Sequence, residues 1–313
     1  MVKLLLVDGY YYAYRSFHAL PGLTNPAGEP TGAVYGFLKS LRRMLKDLVP
    51  DRAAVVWDEG LPERRTALQP AYKAQRDEMP ETLDAQLELM REMIGLLGFS
   101  SVSMPNTEAD DLMASYALAA RAKGWESVLA TADKDLYQIV ASDIRVYSTN
   151  KTDLKTPQDS YALLEEDRVL EKWGVLPRQL GDILALVGDS SDNIPGVPGI
   201  GPKGASALIS KWGSLDGVYA NIHQVGSEKL VAKLLAGRVQ VFENREMVRL
   251  DEDLPLPTPF EKFFITPKYD ALIPALERCG FKSLRQEMHE EMMRVATPQA
   301  PPAAVLRQAD LFG

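Results

Sequence analysis

From residue 2 to residue 147 the chain alternates short apolar runs with amphipathic helical stretches, and this alternation constrains the fold more than any other feature. Residues 2–7, 53–57, 127–130 and 144–147 read as strands, and 102–104 as a shorter extended piece. Between them, 31–48, 81–97 and 109–123 read as helices, with Val34, Leu38, Leu41 and Leu45 marking the buried stripe of the first. Apolar strands separated by helices predict an α/β fold with a mainly parallel sheet covered by helices. From about Trp173 the pattern changes: helical pieces are broken by Pro and Gly, most densely over 188–204, and strand patterns become rare. The expected organisation is an α/β region over 1–172, a mostly helical region over 173–290 and a Pro/Ala-rich flexible tail over 291–313.

Several classes are excluded early. No run of 18 apolar residues exists, so no transmembrane helix and no membrane partner are expected. The apolar start is broken by Asp8 and has no small-residue cleavage site, so it is not a signal peptide. A single cysteine, Cys279, excludes an internal disulfide, and with His18, His223 and His289 it leaves no zinc-ligand spacing. A reducing cytoplasm fits. The formal charge is −8, from 35 basic and 43 acidic residues, which taken alone argues against a nucleic-acid partner.

The acids are not scattered. Asp8 follows the first strand and Asp58 the second; Glu108, Asp110 and Asp111 open a helix; Asp133 and Asp135 follow the strand at 127–130; Asp189 and Asp192 lie in a Gly/Pro-bounded turn. Any one of them alone reads as a helix cap or turn residue. Four clusters at the same end of consecutive strands read differently, because open α/β sheets carry their sites there. Mutual repulsion in such a group calls for hard divalent cations. Two ions about 3.5–4 Å apart would stabilise both oxygens of an in-line phosphodiester displacement. Competing chemistries lack their residues: Gly201-Pro202-Lys203-Gly204 is not a phosphate-binding Gly-Lys-Ser/Thr loop, no Gly-x-Ser-x-Gly elbow or dinucleotide-binding Gly-x-Gly-x-x-Gly is present, and Tyr10 stands where a haloacid-type phosphatase needs a second Asp.

The stretch Gly196-Val197-Pro198-Gly199-Ile200-Gly201-Pro202-Lys203 reads as a hairpin between short helices, either an ordinary Pro/Gly loop or a grip on a nucleic-acid backbone. Arg64, Arg65, Lys73 and Arg76 against Glu63 give +3 over 61–76, and Lys39, Arg42, Arg43 and Lys46 give +4 over 39–46. Tyr10, Tyr11 and Tyr12 suit base stacking or core packing equally.

Taken together, Val7-Asp8-Gly9, Arg65…Tyr72-Lys73-x-x-Arg76, Glu108-Ala109-Asp110-Asp111, Thr131-Ala132-Asp133-Lys134-Asp135, Gly188-Asp189-Ser190-Ser191-Asp192-Asn193-Ile194-Pro195-Gly196 and Gly199-Ile200-Gly201 resemble the bacterial 5′ nuclease (flap endonuclease) family. The likeness is greatest to the 5′ nuclease domains of bacterial polymerases I, and it covers about residues 2–290 in order. It implies a PIN-like core, a helical arch at about 59–81 and a helix-three-turn-helix DNA grip. It implies a 5′-3′ exonuclease and flap endonuclease acting on DNA and RNA primers in replication and repair, with two or three Mg²⁺ or Mn²⁺ ions and a K⁺ at the 196–203 hairpin. By position, Asp8, Asp58, Glu108, Asp110, Asp111, Asp133, Asp135, Asp189 and Asp192 are the implied metal acids. Lys73 and Arg76 are the implied catalytic contacts to the scissile phosphate, with Arg65, Tyr72, Gly199, Gly201 and Lys203 as DNA contacts. Two departures stand out: Gly204, where the family commonly has Thr, implies a lost phosphate or cation contact, and Glu59, where a small residue is common, implies a perturbed metal site. A catalytically inactive DNA-binding adaptor and a PIN-type ribonuclease are the alternatives.

The end of the chain, Gln308-Ala309-Asp310-Leu311-Phe312, resembles the pentapeptide that binds bacterial sliding clamps, with Gln308, Asp310, Leu311 and Phe312 as its contacts. The chain is therefore read as a stand-alone, monomeric, nucleoid-associated cytoplasmic nuclease recruited through its tail. Setting the nine site acids aside leaves 34 acidic against 35 basic residues, so the basic stretches at 39–46 and 61–76 are expected to be free for phosphates.

Overall fold

The computed structural model describes residues 1–156 and 158–296. Five parallel strands form the sheet: β1 (Lys3–Asp8), β2 (Arg52–Val56), β3 (Ser100–Val102), β4 (Glu126–Ala130) and β5 (Ile144–Ser148), with β6 (Ala162–Leu164) antiparallel at one edge. Their spatial order is β3-β2-β1-β4-β5-β6. The order reverses between β1 and β4, so the crevice of this sheet opens at the carboxyl ends of those two strands.

Pleating sorts β1 into two cores. Leu4 and Leu6 join Ala54, Val56 and Leu129 on one face, and Leu5 and Val7 join Ala53, Val55 and Val128 on the other. Leu4 to Val7 are all fully buried, which is why β1 reads as an unbroken apolar run instead of an alternating one. One face is covered by α1 (Gly9–Ala19), α2 (Gly32–Leu48) and α4 (Glu81–Leu96). The other is covered by α5 (Ala109–Ala122) and by helices of the second half, including α7 (Leu180–Val187), α8 (Pro202–Trp212), α9 (Leu215–Ala220) and α11 (Arg238–Val248). Between α9 and α11 lies α10 (Glu228–Ala236), and the short α3 (Glu63–Leu68) and α6 (Glu166–Trp173) complete the set before the last two helices. The expected mainly parallel α/β region followed by a mostly helical one is what the chain forms. No helix among the described residues is long and apolar enough to cross a membrane.

Two local features depart from the sequence reading. The tyrosine run is helical: Asp8 caps α1 by accepting from Tyr11 N at 3.0 Å, and Gly9 admits the Trp57 ring, which an added Cβ would meet at 2.4 Å. Tyr12 is core, while Tyr10 packs edge-on against Trp57 and stays half-buried. The segment expected as an arch over 59–81 is helical only in α3; the rest turns back on itself.

The last two helices, α12 (Tyr269–Arg278) and α13 (Lys282–Ala296), return to the first half. Leu272, Leu276, Phe281, Leu284 and Met288 pack into the core beside α2 and α4. Helix α13 thus runs into the segment expected as tail, which corrects the boundary at 291. The expectation of a free basic patch at 39–46 is also corrected: α13 supplies Glu287 to Lys39 at 2.9 Å and Glu291 to Arg42 at 2.6 Å, and within α2 Arg43 pairs with Asp47 at 2.8 Å.

Candidate functional site: an acid crevice at the strand switch

Every acid cluster singled out in the sequence reaches the same crevice. Asp8 ends β1, Asp58 follows β2, and Glu108, Asp110 and Asp111 stand at the start of α5. Asp133 and Asp135 follow β4. Asp189 lies in β7 (Gly188–Asp189) and Asp192 in the loop to β8 (Ile194–Pro195), a short antiparallel ribbon. Thr131 bridges the switch point: its Oγ1 donates to Asp8 Oδ2 at 2.8 Å and accepts from Asp133 N at 3.0 Å. Backbone amides position others, Ala109 N on Asp58 at 3.2 Å and Asp135 N on Asp133 Oδ1 at 2.9 Å.

Crowding shows in the protonation of these groups. Burial, opposed by the Tyr11 amide and reinforced by repulsion from Asp58, pushes Asp8 up to about 7. Burial and then Asp111 push Asp110 well above the usual carboxylate range, and burial and then Asp133 do the same to Asp135. Burial also raises Asp58 and Asp133, the latter with repulsion from Asp192. Glu108 moves the other way: burial alone would raise it, but Lys73 and Arg65 outweigh that and hold it low. Asp189 is likewise low, with burial outweighed by hydrogen bonds from Lys134, 2.7 Å away, and Ser191.

The donor set fits hard divalent cations. It is all carboxylate oxygen; Glu108, Asp110 and Asp111 each offer an oxygen within 4.8 Å of the others. Asp135 Oδ1 is buried and has no hydrogen-bond partner, an orphaned acceptor that a cation would satisfy.

Basic groups of the 61–76 stretch are drawn into the same crevice. Lys73 Nζ pairs with Glu108 and lies 3.7 Å from Asp192, and Arg76 pairs with Asp192 at 2.8 Å while remaining half exposed. The segment is fastened to the loop after β7: Lys73 N donates to Asp192 O at 3.2 Å, Gln69 to Asn193 O, and Asn193 Nδ2 to Ala71 O at 2.8 Å. The stretch is therefore not free for phosphates as expected.

Two expected DNA contacts are corrected. Arg65 is 1% exposed, its guanidinium gripping Asp111 in a fork at 2.7 and 2.8 Å, pairing with Glu108, and donating to Met247 O and Arg249 O at the end of α11. Tyr72 is 4% exposed, its hydroxyl donating to Glu108 at 3.1 Å and Asp192 at 3.3 Å. Neither presents a surface to a strand. Glu59, the departure noted beside Asp58, accepts from Ser103 at 2.6 Å, and its backbone pairs with Thr107. Thr131 and Lys134 escaped the sequence reading as individual site residues; the only signal was their place inside the Thr131-Ala132-Asp133-Lys134-Asp135 motif.

Downstream, the hairpin joins α7 to α8. Asn244, fully buried in α11, donates to Ala185 O at 2.9 Å and Pro195 O at 2.7 Å, so one side chain ties the ribbon to the helix before it. Gly199 turns the chain with φ 82°, Gly201 is the N-cap of α8, and Lys203 is exposed in its first turn. A Cβ on Gly204 would meet only Ile200 Cγ2, at 3.8 Å, so the fold does not require glycine there. Gln308, Asp310, Leu311 and Phe312 lie outside the described residues.

A doubly covered, mainly parallel sheet with a carboxylate crevice at its switch point, continued by a helical region, places this chain among the open α/β folds whose sites lie at the strand carboxyl ends. Residues 3–174 match the family model described as 5′-3′ exonuclease, N-terminal resolvase-like domain, and 175–271 match the 5′-3′ exonuclease C-terminal SAM fold. The chain belongs to the 5′-3′ exonuclease family. It is 42% identical over 285 residues to the thermostable DNA polymerase I of Thermus thermophilus, covering 91% of this chain and 33% of that one. It is 35% identical over 296 residues to DNA polymerase I of Rhizobium leguminosarum, covering 92% and 28%. The chain thus spans about a third of the length of these curated relatives. Among solved structures, the T5 D15 protein co-crystallised with metal ions matches with a TM-score of 0.65 at 19% identity, over 94% of this chain and all of that one. The catalytic core of Rad2 in complex with a DNA substrate matches at 0.60 and 16%, over 95% and 93%. These two show the shared fold.

Proposed function

We propose that the chain is a structure-specific 5′ nuclease, a 5′-3′ exonuclease and flap endonuclease that hydrolyses DNA and RNA-primer phosphodiesters in replication and repair. The observation that carries this reading is the convergence of nine carboxylates from five segments on one crevice at the sheet's switch point. Asp8, Asp58, Glu108, Asp110, Asp111, Asp133, Asp135, Asp189 and Asp192 would hold two or three Mg²⁺ or Mn²⁺ ions. Bound there, these ions supply Lewis acidity toward the scissile phosphate and its leaving 3′ oxygen.

The protein's own groups do the rest. Thr131 fixes Asp8 and Asp133 relative to each other across the switch point. Lys73 and Arg76, at the rim on Glu108 and Asp192, exchange carboxylate for phosphate oxygens when a strand enters and orient the phosphate over the acids. Water adds to phosphorus as the 3′ oxygen leaves, giving 5′-phosphate and 3′-hydroxyl ends. The hairpin from Gly196 to Lys203 serves as the helix-three-turn-helix grip, its glycines admitting the backbone and Lys203 adding charge; its backbone oxygens would hold a K⁺. A Lys73→Ala chain is expected to lose turnover at saturating substrate far more than affinity, as read from single-turnover rates against flap-binding titrations.

A 5′-flap DNA, a primer hybrid and a single-stranded RNA, each with Mg²⁺ or EDTA, test the reading. Mg²⁺-dependent cleavage of the first two is expected. Cleavage of the RNA alone would replace it with a PIN-type ribonuclease, and flap binding without cleavage with an inactive adaptor. The monomer is further assigned a clamp-binding tail through Gln308, Asp310, Leu311 and Phe312, two apolar residues on a polar, Pro-rich tether. Sliding clamp should be pulled down by the full chain and lost with Leu311→Ala plus Phe312→Ala; retention by that variant would end the assignment.

A further inference from the structure

Two lysines outside every motif discussed so far stand beside the hairpin turn. Helix α10 is capped by Ser227, which accepts from Leu230 N, and Tyr219 Oη donates to Leu234 O at 2.9 Å, fixing α10 against α9. The corner after α10 presses on the hairpin: a Cβ at Gly237 would come 3.3 Å from Val197 Cγ2. Lys233 Nζ lies over the left-handed turn itself, 2.6 Å from where a Cβ on Gly199 would stand. One helical turn earlier, Lys229 shares that face of α10 and is exposed. Lys203 is exposed in the first turn of α8, four residues beyond Gly199.

The basic residues of the 39–46 and 61–76 stretches, Lys46 apart, differ from these. Lys39, Arg42, Arg43, Arg64, Arg65, Lys73 and Arg76 are each neutralised by a carboxylate. Among the described residues, Lys203, Lys229 and Lys233 make no ion pair or hydrogen bond through their ammonium groups. Over 228–238 the charges are Lys229, Lys233 and Arg238 against Glu228 alone. Positive charge that the protein does not neutralise, carried on a helix anchored to a glycine turn, is complementary to a nucleic-acid backbone.

We propose that α10 is a second backbone-binding row for duplex DNA, in which Lys229 and Lys233, with Lys203 across the turn, extend the hairpin's contact to further phosphates. The row rests on the nuclease reading above and adds to it residues that no motif marks. It carries no sequence information, because ammonium groups on phosphates position a duplex without reading bases.

The test is the salt dependence of binding by the full chain to a 5′-flap duplex, with cleavage blocked by EDTA. Each phosphate contact contributes a slope of about 0.9 in log K against log salt, so Lys229→Ala plus Lys233→Ala should make the slope shallower by about 1.8. As a control for bulk charge, Lys262→Ala plus Lys268→Ala removes two exposed lysines near the opposite ends of the strands, where Ser100 donates to Lys262 O and Lys268 N to Leu96 O. That pair should leave the slope unchanged. An unaltered slope in the α10 variant, or an equal drop in the control, overturns the α10 row while the nuclease reading stands on Mg²⁺-dependent flap cleavage. Absence of salt-dependent duplex binding by the unmodified chain overturns both.

Discussion

Replacing Asp133 by Asn should abolish cleavage while leaving flap binding in place. The carboxylate is in the crevice and accepts from the Asp135 amide, while the backbone amide of Asp133 donates to Thr131 Oγ1, and Asn keeps its size and shape. What it loses is one negative oxygen toward bound cations, and the charge stabilisation those cations supply is several kcal/mol, so turnover should fall by about 10³-fold or more. Stability should not fall with it. Burial, the first cause, and repulsion from Asp192 raise the Asp133 carboxyl above its unfolded value. A carboxyl raised on folding binds more protons in the native state, so its contribution weakens as pH rises past the unfolded pKa. A neutral amide removes that penalty near neutral pH. Single-turnover rates and thermal melts at pH 7 read both effects, and unchanged turnover would refute Asp133 as a metal acid.

Arg65→Ala is expected to be the most destabilising single change in the crevice. The guanidinium is buried, with Asp111 and Glu108 on one side and the carbonyls of Met247 and Arg249 on the other. Removing one partner of a buried ion pair leaves uncompensated charge, at a cost of roughly 3–5 kcal/mol. Arg65→Lys keeps the charge but loses the fork and should fall between the two. Urea unfolding measures it; a loss below about 1 kcal/mol for the alanine variant would show that Glu108 and Asp111 do not depend on this cation.

How far these features were legible depends on where their causes lie. Strand β1 and helix α2 could be read directly, because an unbroken apolar run and the stripe of Val34, Leu38 and Leu41 are local patterns. The acid clusters were legible as a group because parallel strands put their ends on one side. Helix α1 was not, since Tyr10-Tyr11-Tyr12 lacks an apolar stripe and its cap, Asp8, is itself a crevice acid. Arg65 misled because a buried arginine is rare, and its partners at 108, 111, 247 and 249 are joined to it only by the fold. The neutralised patch on α2 is a similar case: Lys39 and Glu287 are 248 residues apart. Composition shows charge, but only tertiary structure shows which charges cancel.

The return of α12 and α13 has a consequence for how this chain can be divided. The match to the C-terminal family model ends at residue 271, inside α12, yet Leu272, Leu276, Phe281, Leu284 and Met288 complete the core over α2 and α4. Lys268 N also bonds Leu96 O, at the end of α4. A cut between 174 and 175 would therefore not release two self-sufficient modules. It would leave the first fragment with an unroofed apolar face and the second with two helices lacking a seat, so that the halves behave as complementing fragments.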